Sequence, residues 1–141
     1  MKAFKKYNPI QVRWNEPLGE KECPYAYRWV FNFHFFAIRV HHFLRSDDKR
    51  YMHDHGWSFI TCVLKGSYTD VSLDGRDLMK AGSIRYRKST HAHYVDVPEG
   101  GCWTIVLSGR SKRKWGFWVD GKFKRPLKYF HKFGHPPCSE Q

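Results

Sequence analysis

The sequence predicts an all-β domain built as a sandwich or barrel of short strands. Aromatic and β-branched residues dominate the segments between turns, and such side chains suit a pleated, half-buried surface. Glycine-containing turns recur about every eight to twelve residues, a spacing typical of sandwiches and barrels. No stretch of good length shows the period of an amphipathic helix. These observations together favour an all-β class.

The predicted strands begin with residues 25–44, a run rich in Trp, Phe, Ile and Val. A charged loop at residues 45–50 separates this run from a strand at residues 53–64. Lys65-Gly66-Ser67 predicts a turn, and residues 68–73 predict the returning strand.

Asp74-Gly75 is a strong two-residue hairpin signal. Further strands are predicted at residues 83–87, 93–97, 103–107 and 115–119. Asp120-Gly121 then predicts a last hairpin into Lys122-Phe123. We expect one domain over residues 1–141, with loose ends at about residues 1–8 and 134–141.

The length of 141 residues is enough for a core without disulfides or a structural metal. The sequence has no apolar run of roughly 20 residues that could span a bilayer, and its first residues lack a signal peptide's apolar stretch. We therefore expect a cytoplasmic protein, in the host cytoplasm if it is viral, with no membrane partner. Cys23, Cys62, Cys102 and Cys138 are scattered without C-x-x-C spacing, so we expect reduced, partly buried thiols.

The chain is strongly basic, with 25 Lys and Arg against 13 Asp and Glu and a formal net charge of +12. Such a field attracts anionic partners and speeds their encounter. Aromatic residues make up 18% of the chain, and aromatic faces beside cations suit nucleobases and phosphates. The expected partner is a small anionic ligand, foremost a nucleotide, with nucleic acid as a further candidate. A merely soluble basic surface would have the same composition.

Two histidine pairs, His53-Asp54-His55 and His91-Ala92-His93, lie in β-like segments. Residues two apart on a strand project to the same side, so each pair can aim both imidazoles at one point. Such convergence suits a metal site, or a metal-free pair in which one imidazole is the acid and the other the base. Asp54 points to the opposite side and is interpreted as structural.

The spacing of these residues resembles a known two-part motif. His53-x-His55, a strand ending at Gly66, then Gly82 and His93 eleven residues later are similar to the motif of the cupin superfamily, over residues 51–107. The resemblance implies a jelly-roll barrel (double-stranded β-helix), a divalent metal and pairing of small members into a homodimer through edge strands. The stretches H-D-H-G-W, G-S-I-R-Y-R, T-H-A-H and R-K-W-G-F-W also resemble small cupin-like proteins often encoded by bacteriophages.

The sequence departs from the cupin motif at two positions. The glutamate position four residues after His55 is Phe59, and the late asparagine position is Val97. The resemblance therefore implies a metal shell of His53, His55 and His93, a set of neutral imidazoles like three-histidine zinc or iron sites. The expected cofactor is a divalent transition metal (Zn, Fe, Mn or Ni). Loss of the anionic ligand would make that metal a stronger Lewis acid.

Catalysis is expected from His55 and His93, with His91 moving the proton. Arg85 and Arg87 share one face of the strand that leads to His93, where they would bind phosphate if that face lines the barrel and form an ordinary charged edge if it faces solvent.

Four further residues are candidate substrate contacts. Lys112 and Arg113 lie in a dense basic loop beside tryptophans, which could clamp a phosphate or form an ordinary solvated turn. Trp57 shares the histidine face and could stack on a base or wall the pocket, although core packing is the favoured interpretation. Of the neighbours His41 and His42, at most one can reach the site, and His42 is the prediction.

Three functions remain open from the sequence. The favoured one is a metal-dependent hydrolase of the phosphodiesterase kind, acting on a phosphate-bearing anion such as a nucleotide or cyclic nucleotide, and in a virus removing a host signal. A non-haem iron oxygenase is the first alternative, and a non-catalytic module that sequesters a small anion or nucleic acid is the second. High positive charge disfavours the oxygenase, and convergent imidazoles disfavour the pure binder.

Overall fold

A computed structural model of the chain describes residues 10–136 and 138. The elements in chain order are β1 Gln11–Glu20, β2 Cys23–Asn32, β3 Ala37–Phe43, β4 Met52–His53, β5 Phe59–Ser72, β6 Gly75–Lys80, β7 Ile84–Arg87, β8 His93–Asp96, β9 Cys102–Ser108, β10 Phe117–Val119, β11 Lys122–Lys124 and α1 Pro126–Phe133. The all-β class is therefore confirmed.

The strands pair antiparallel in two sheets that share one strand. The first sheet has the order β1-β2-β3-β9-β5-β7. The second has the order β6-β5-β8-β4-β10-β11. The first part of β5 pairs in the first sheet, and its second part pairs in the second. This two-sheet wrap is the jelly-roll barrel that the family resemblance implied.

The prediction of a turn at Lys65-Gly66-Ser67 is wrong, because β5 runs through these residues as one bent strand. A register shift against β9 between Val63 and Lys65 marks the bend. Gly66 has a φ of 78°, and a Cβ there would collide with the carbonyl oxygen of Gly101. The glycine therefore lets the strand cross the corner between the sheets, as bulges and glycines do in barrels.

The structure also contains elements that the sequence did not predict: β1, β6 and the helix α1. The helix starts with Pro126, which is favourable at a first helical position. It is only two turns long and packs through Tyr129, which is fully buried and stacks on Phe117 at a ring distance of 3.8 Å. A helix this short is stabilised by packing more than by its own periodicity.

The core has two parts. One fills the barrel and contains Val63, Tyr68, Met79, Val95, Val97 and Cys102. The other lies beneath the helix and contains Phe117, Val119 and Tyr129. The candidate site lies in the cavity next to both.

The cysteine prediction is half right. Cys62 and Cys102 are free thiols, but Cys23 and Cys138 form a disulfide, which corrects the expectation of reduced cysteines. The disulfide ties Cys138 to the start of β2, inside the end predicted to be loose. The predicted loose end at residues 1–8, and residues 137 and 139–141 of the other, lie outside the described residues.

Within residues 10–136 and 138, no helix has the length and apolar character needed to cross a membrane.

Candidate functional site

Three histidines converge on one point of the barrel interior. His53 and His93 are directly opposite each other in the β4·β8 pair, so their side chains share a face. Their ring centres are 4.9 Å apart, and the ring of His55 lies 5.1 Å from that of His93. One nitrogen from each ring lies within 4.8 Å of the others. The structure thus brings together the three predicted metal ligands.

His55 follows β4 in a loop, and Asp54 holds that loop in place. Asp54 is buried and accepts hydrogen bonds from the backbone N–H of Gly116 at 2.9 Å and from Trp118 Nε1 at 3.1 Å. It also accepts one from Arg113 Nη1 at 2.9 Å. Asp54 is structural, as expected. Arg113, predicted to bind substrate, is instead engaged by this buried carboxylate.

The electrostatics suit metal ligation. Burial lowers the pKa of His53 to about 3, and burial likewise lowers the pKa of His55 well below its ordinary value. Both rings are therefore neutral, as ligand imidazoles must be. His55 Nδ1 is buried and has no hydrogen-bond partner among the described residues. Because buried polar atoms are rarely left unpaired, the unpartnered His55 nitrogen beside the nitrogens of His53 and His93 fits a divalent metal.

Asp70 is a buried carboxylate that contacts His93, one of the three candidate metal ligands. Its Oδ2 lies 2.7 Å from His93 Nδ1, which leaves His93 Nε2 free for a metal. Its Oδ1 lies 2.9 Å from His91 Nε2, and Arg87 Nε lies 3.5 Å from Oδ2. Burial raises the pKa of Asp70, but hydrogen bonds from His91 and His93 outweigh this and hold the pKa well below its ordinary value. The sequence analysis missed Asp70 because nothing local marks its contact with histidines more than twenty residues away.

The sequence predicts that His91 moves a proton beside the metal, but His91 lies outside the barrel cavity. His91 lines an outer groove of about 470 Å³ together with Asp70 and Arg87, and not the barrel cavity. Asp70, His91 and His93 also have ligand atoms within 4.8 Å of one another. Their spacings of 2.7 and 2.9 Å are those of hydrogen bonds, so His91 positions Asp70 and does not face a substrate in the barrel.

The barrel encloses a cavity of about 590 Å³, which the three histidines line. Much of its wall is apolar and consists of Val30, Phe59, Val95, Val106 and Phe117. Trp57 lines it too, with its ring centre 4.9 Å from that of His55. Phe59, at the glutamate position of the cupin motif, packs edge-on against His55 at 4.9 Å.

Arginines from the first sheet also line the cavity. Arg39 lies with its Cζ 4.5 Å from the Trp57 ring centre, and its Nε donates to Ser108 Oγ at 3.2 Å. Burial, together with the nearby Arg28 and Arg13, lowers the pKa of Arg39 to about 10, so its guanidinium is still charged near neutral pH. No carboxylate lies within salt-bridge distance of Arg39 in the described part of the chain.

Arg13 and Arg28 lie in the same cavity wall and share one carboxylate. Arg28 Nη2 is 3.0 Å from Glu16 Oε1, and Arg13 Nη1 is 3.6 Å from the same oxygen. Arg28 Nε is buried without a hydrogen-bond partner among the described residues. This wall therefore carries more positive than negative charge.

His41 lines the cavity, whereas the sequence predicted His42 as the one that reaches the site. On β3 the cavity-lining side chains are Arg39, His41 and Phe43, in strict alternation. His42 faces the other way and stacks on Trp103 at a ring distance of 4.1 Å, so it does not contact a ligand in the cavity. The alternation was readable in the sequence, but which face turned inward was not.

Arg85 and Arg87 share the inward face of their β5 partners Thr61 and Phe59. They do not line the cavity, because Asp77 on β6 binds both: its Oδ2 is 3.0 Å from Arg85 Nε and 2.6 Å from Arg87 Nη2. These ion pairs join the free edges of the two sheets. The prediction that these arginines bind substrate beside the metal is therefore not supported.

Lys112 is exposed, and its placement is set by its backbone N–H, which donates to the Gly56 carbonyl at 2.8 Å. It does not line the cavity.

Asp47 is the second functional candidate that the sequence analysis missed. It lines the cavity, and its Oδ2 lies 3.8 Å from His53 Nε2 while its Oδ1 accepts the backbone N–H of Val95 at 2.9 Å. Burial raises its pKa well above the ordinary value. The sequence predicts a charged loop at residues 45–50, yet Ser46, Asp47 and Asp48 within it are buried.

Neither a scan against protein-family models nor a search of curated proteins finds a match. Solved structures do match. A RmlC-like cupin from Shewanella frigidimarina NCIMB 400 is 15% identical with a TM-score of 0.57, covering 75% of this chain and 97% of that one. The DMSP lyase DddQ from Ruegeria pomeroyi DSS-3 is 13% identical with a TM-score of 0.60, covering 80% and 64%. The iron(II) form of HppE is 11% identical with a TM-score of 0.55, covering 77% and 62%. Identities this low show the fold alone.

Proposed function

We propose that this cupin-fold chain is a metal-dependent enzyme acting on a small anionic substrate inside the barrel, and that it hydrolyses a phosphate ester such as that of a nucleotide. The observation that carries this proposal is that three histidine imidazoles and the charged Arg39 side chain face one cavity. The cavity volume of about 590 Å³ is in the usual range for small-molecule sites.

His53, His55 and His93 would hold the metal, with Asp70 orienting His93. A bound divalent metal would supply a Lewis acid that polarises a phosphoryl oxygen and makes water more acidic. Because imidazole binds a metal in its neutral form, such a ligand set would leave the charge of that ion undiminished, which favours an anionic partner. The remaining contributions come from the chain's own side chains.

Arg39 is the proposed anchor for the anionic group. A guanidinium presents a planar fork of donors that matches phosphate or carboxylate, and Arg39 has no carboxylate partner of its own in the described residues. The ring centre of Trp57 is 4.5 Å from Arg39 Cζ and 4.9 Å from the ring centre of His55. Arg39 and His55 thus both contact one aromatic ring, close enough for a small substrate to reach both.

Two further features support an anionic substrate. The net charge of +12 would draw anions toward the protein, and Arg28 and Arg13 extend the positive wall beyond Arg39. His41 Nδ1 is buried in the same wall with no hydrogen-bond partner among the described residues, and is available to a bound ligand.

A non-haem iron oxygenase is the second candidate. The mostly apolar wall around the histidines favours it, because such a wall excludes water from the metal. The fold does not choose between the candidates, since the matched structures bear the names of a lyase and an iron(II) protein.

The test begins with elemental analysis of protein purified without chelator. The metal-loaded protein is then incubated with a panel of cyclic and linear nucleotides, and products are separated by chromatography with and without chelator. We expect a hydrolysed product that disappears with chelator and in His55→Ala. Intact nucleotides that bind tightly would instead support a sequestering module, and oxygen uptake on iron addition would support the oxygenase.

Arg39→Gln tests the anchor separately from the metal. Loss of a charged hydrogen bond of about 1.5–3 kcal/mol predicts a KM roughly 10- to 150-fold higher, with unchanged metal content. Arg85→Gln is the matched control, because Asp77 already engages that guanidinium outside the cavity. Equal KM values for the two variants would contradict the assignment of Arg39.

A further inference from the structure

Most of the net positive charge of the chain lies in one short segment. Residues 110–132 contain nine Lys and Arg against one acidic residue, Asp120, and so carry a formal +8 of the chain's +12. They form the β10–β11 hairpin, most of α1 and the loop before them. Apart from Arg113, none of these cations lies within salt-bridge distance of a carboxylate among the residues that the structure describes. The described residues therefore leave this charge largely unneutralised.

Four lysines of this segment crowd together. Lys124 Nζ and Lys132 Nζ lie 5.6 and 5.3 Å from the centre of one ring, that of Phe133. Lys128 lies one helical turn before Lys132, and Lys122 lies on the same side of β11 as Lys124. Desolvation, a hydrogen bond with Lys132 and the charges of the other lysines lower the pKa of Lys124. Like charges one turn apart destabilise a helix, so the cluster favours a polyanionic partner that offsets this repulsion.

Exposed aromatic rings lie beside these lysines. Trp118 and Phe123 are directly paired across the β10–β11 hairpin, and their ring centres are 5.5 Å apart. They are 39% and 37% exposed. Trp118 Nε1 donates to the buried Asp54 at 3.1 Å, which fixes the orientation of this indole. Two adjacent, partly exposed rings of this kind are a surface on which nucleobases can stack.

The strand β11 alternates cation, ring and cation along an edge of the second sheet. Among the described residues it pairs with β10 alone. Successive side chains of a strand point to opposite sides, so Lys122 and Lys124 flank Phe123 and point away from it. A nucleotide joins an anionic phosphate to an aromatic base, and this edge presents a cation and a ring within one residue of each other. None of the three lines the barrel cavity.

We propose that the β11 edge and the helix α1 bind single-stranded nucleic acid. Four lysines contact the phosphates and two rings stack on the bases: Lys122, Lys124, Lys128, Lys132, Trp118 and Phe123. A single strand fits better than a duplex, because its bases are free to stack on side chains. An anionic membrane fits less well, because membrane-surface helices bury a broad apolar face and α1 exposes only Leu127 of its large apolar residues.

A salt series tests the phosphate contacts. The full chain is titrated into a fluorescent oligodeoxythymidine of about 16 nucleotides, and anisotropy is recorded. Each phosphate contact on a single strand contributes about 0.7 to the slope of log K against log salt. Lys128→Gln/Lys132→Gln should therefore reduce the slope by about 1.4 and, at 0.1 M salt, weaken binding roughly 25-fold. The variant removes a like-charge pair from the helix, so unfolding is not expected to cause the loss.

Lys65→Gln/Lys80→Gln is the matched control. It removes the same charge from β5 and from β6, the strand at the opposite end of the second sheet, and should keep the wild-type slope. Equal losses in the two double variants would mean that net charge alone attracts the strand, and would overturn the proposal.

Phe123→Ala tests the stacking contact. It should weaken binding of oligodeoxythymidine roughly 10-fold without a change in the salt slope. Wild type should prefer oligodeoxythymidine to an abasic strand of equal length and charge, and equal affinities for the two strands would overturn the stacking role. Vesicles rich in phosphatidylserine that bind the protein while the strand does not would assign the surface to a membrane instead.

This proposal does not rest on the proposed function, and one variant separates the two. Arg39→Gln removes the proposed anchor of the cavity and should bind the strand as wild type does. Loss of strand binding in Arg39→Gln would place the nucleic acid in the cavity and overturn the assignment to the β11 edge.

Discussion

Replacing Asp70 with Asn separates the support of the candidate metal centre from its ligands. Asp70 is 2% exposed and binds both His91 and His93, so the change keeps the shape and removes the charge. The Asn side chain offers an N–H as well as an oxygen. When that N–H faces His93 Nδ1, the ring must carry its proton on Nε2, the nitrogen that a metal needs.

The Asp70 carboxylate contacts His93 Nδ1 directly, so its replacement should weaken metal binding. Loss of a carboxylate that orients a ligand histidine typically costs about 10- to 100-fold in metal affinity. We expect Asp70→Asn to fall in this range for zinc, measured by competition against a chromophoric chelator. Loss of one charged hydrogen bond should also lower the free energy of unfolding of the metal-free protein by about 1.5–3 kcal/mol, measured with urea.

Asp77→Asn is the matched control. Asp77 binds Arg87, as Asp70 does, but it does not contact a histidine in the described structure. Its replacement should leave the zinc affinity unchanged. Equal zinc affinities for wild type, Asp70→Asn and Asp77→Asn would refute the assignment of Asp70 as the support of His93.

Three further predictions concern stability. Burial lowers the pKa of His41 to about 3, so between pH 6.5 and 3 the unfolded chain binds a proton that the folded chain does not. In metal-free protein His41 alone should account for a loss of up to about 1.4 kcal/mol of stability for each unit by which the pH falls in this window, and His41→Phe should reduce the slope by that amount in urea titrations. Tyr129→Phe removes a buried hydrogen bond of 2.8 Å to Asp48 and should cost about 1–3 kcal/mol in urea unfolding, whereas Tyr86→Phe at the exposed edge should cost little. Reductant should lower the melting temperature of wild type but not of Cys23→Ser, and an equal response of both proteins would contradict a role for the disulfide.

Local patterns in the sequence were enough to predict the all-β class, because alternation and turn residues mark strands directly. The set of His53, His55 and His93 was implied by the family resemblance, and the structure brings these three rings together. His-x-His spacing alone does not ensure this, since His55 lies in the loop after β4, and His91 lines the outer groove while His93 lines the cavity. The bend at Gly66 was misread because a glycine between strands looks the same in a turn and in a bulge.

Charged residues were the harder problem, because the same sequence pattern serves a solvated surface and a buried network. Asp47 lies in the predicted charged loop and Asp70 in a predicted strand, yet both side chains are buried beside the histidines of the site. Arg85 and Arg87 were assigned to the site and instead bind Asp77.

Most of the strands, their alternation and the spacing of the histidines can be read from the sequence, because they depend on residues only a few positions apart. The placement of Arg39 and His41 in the cavity wall and the contact of Asp70 with His93 depend instead on how distant strands pack. The physical reason is that a strand has two equivalent faces in sequence. Only packing of one sheet against the other makes one of those faces the interior.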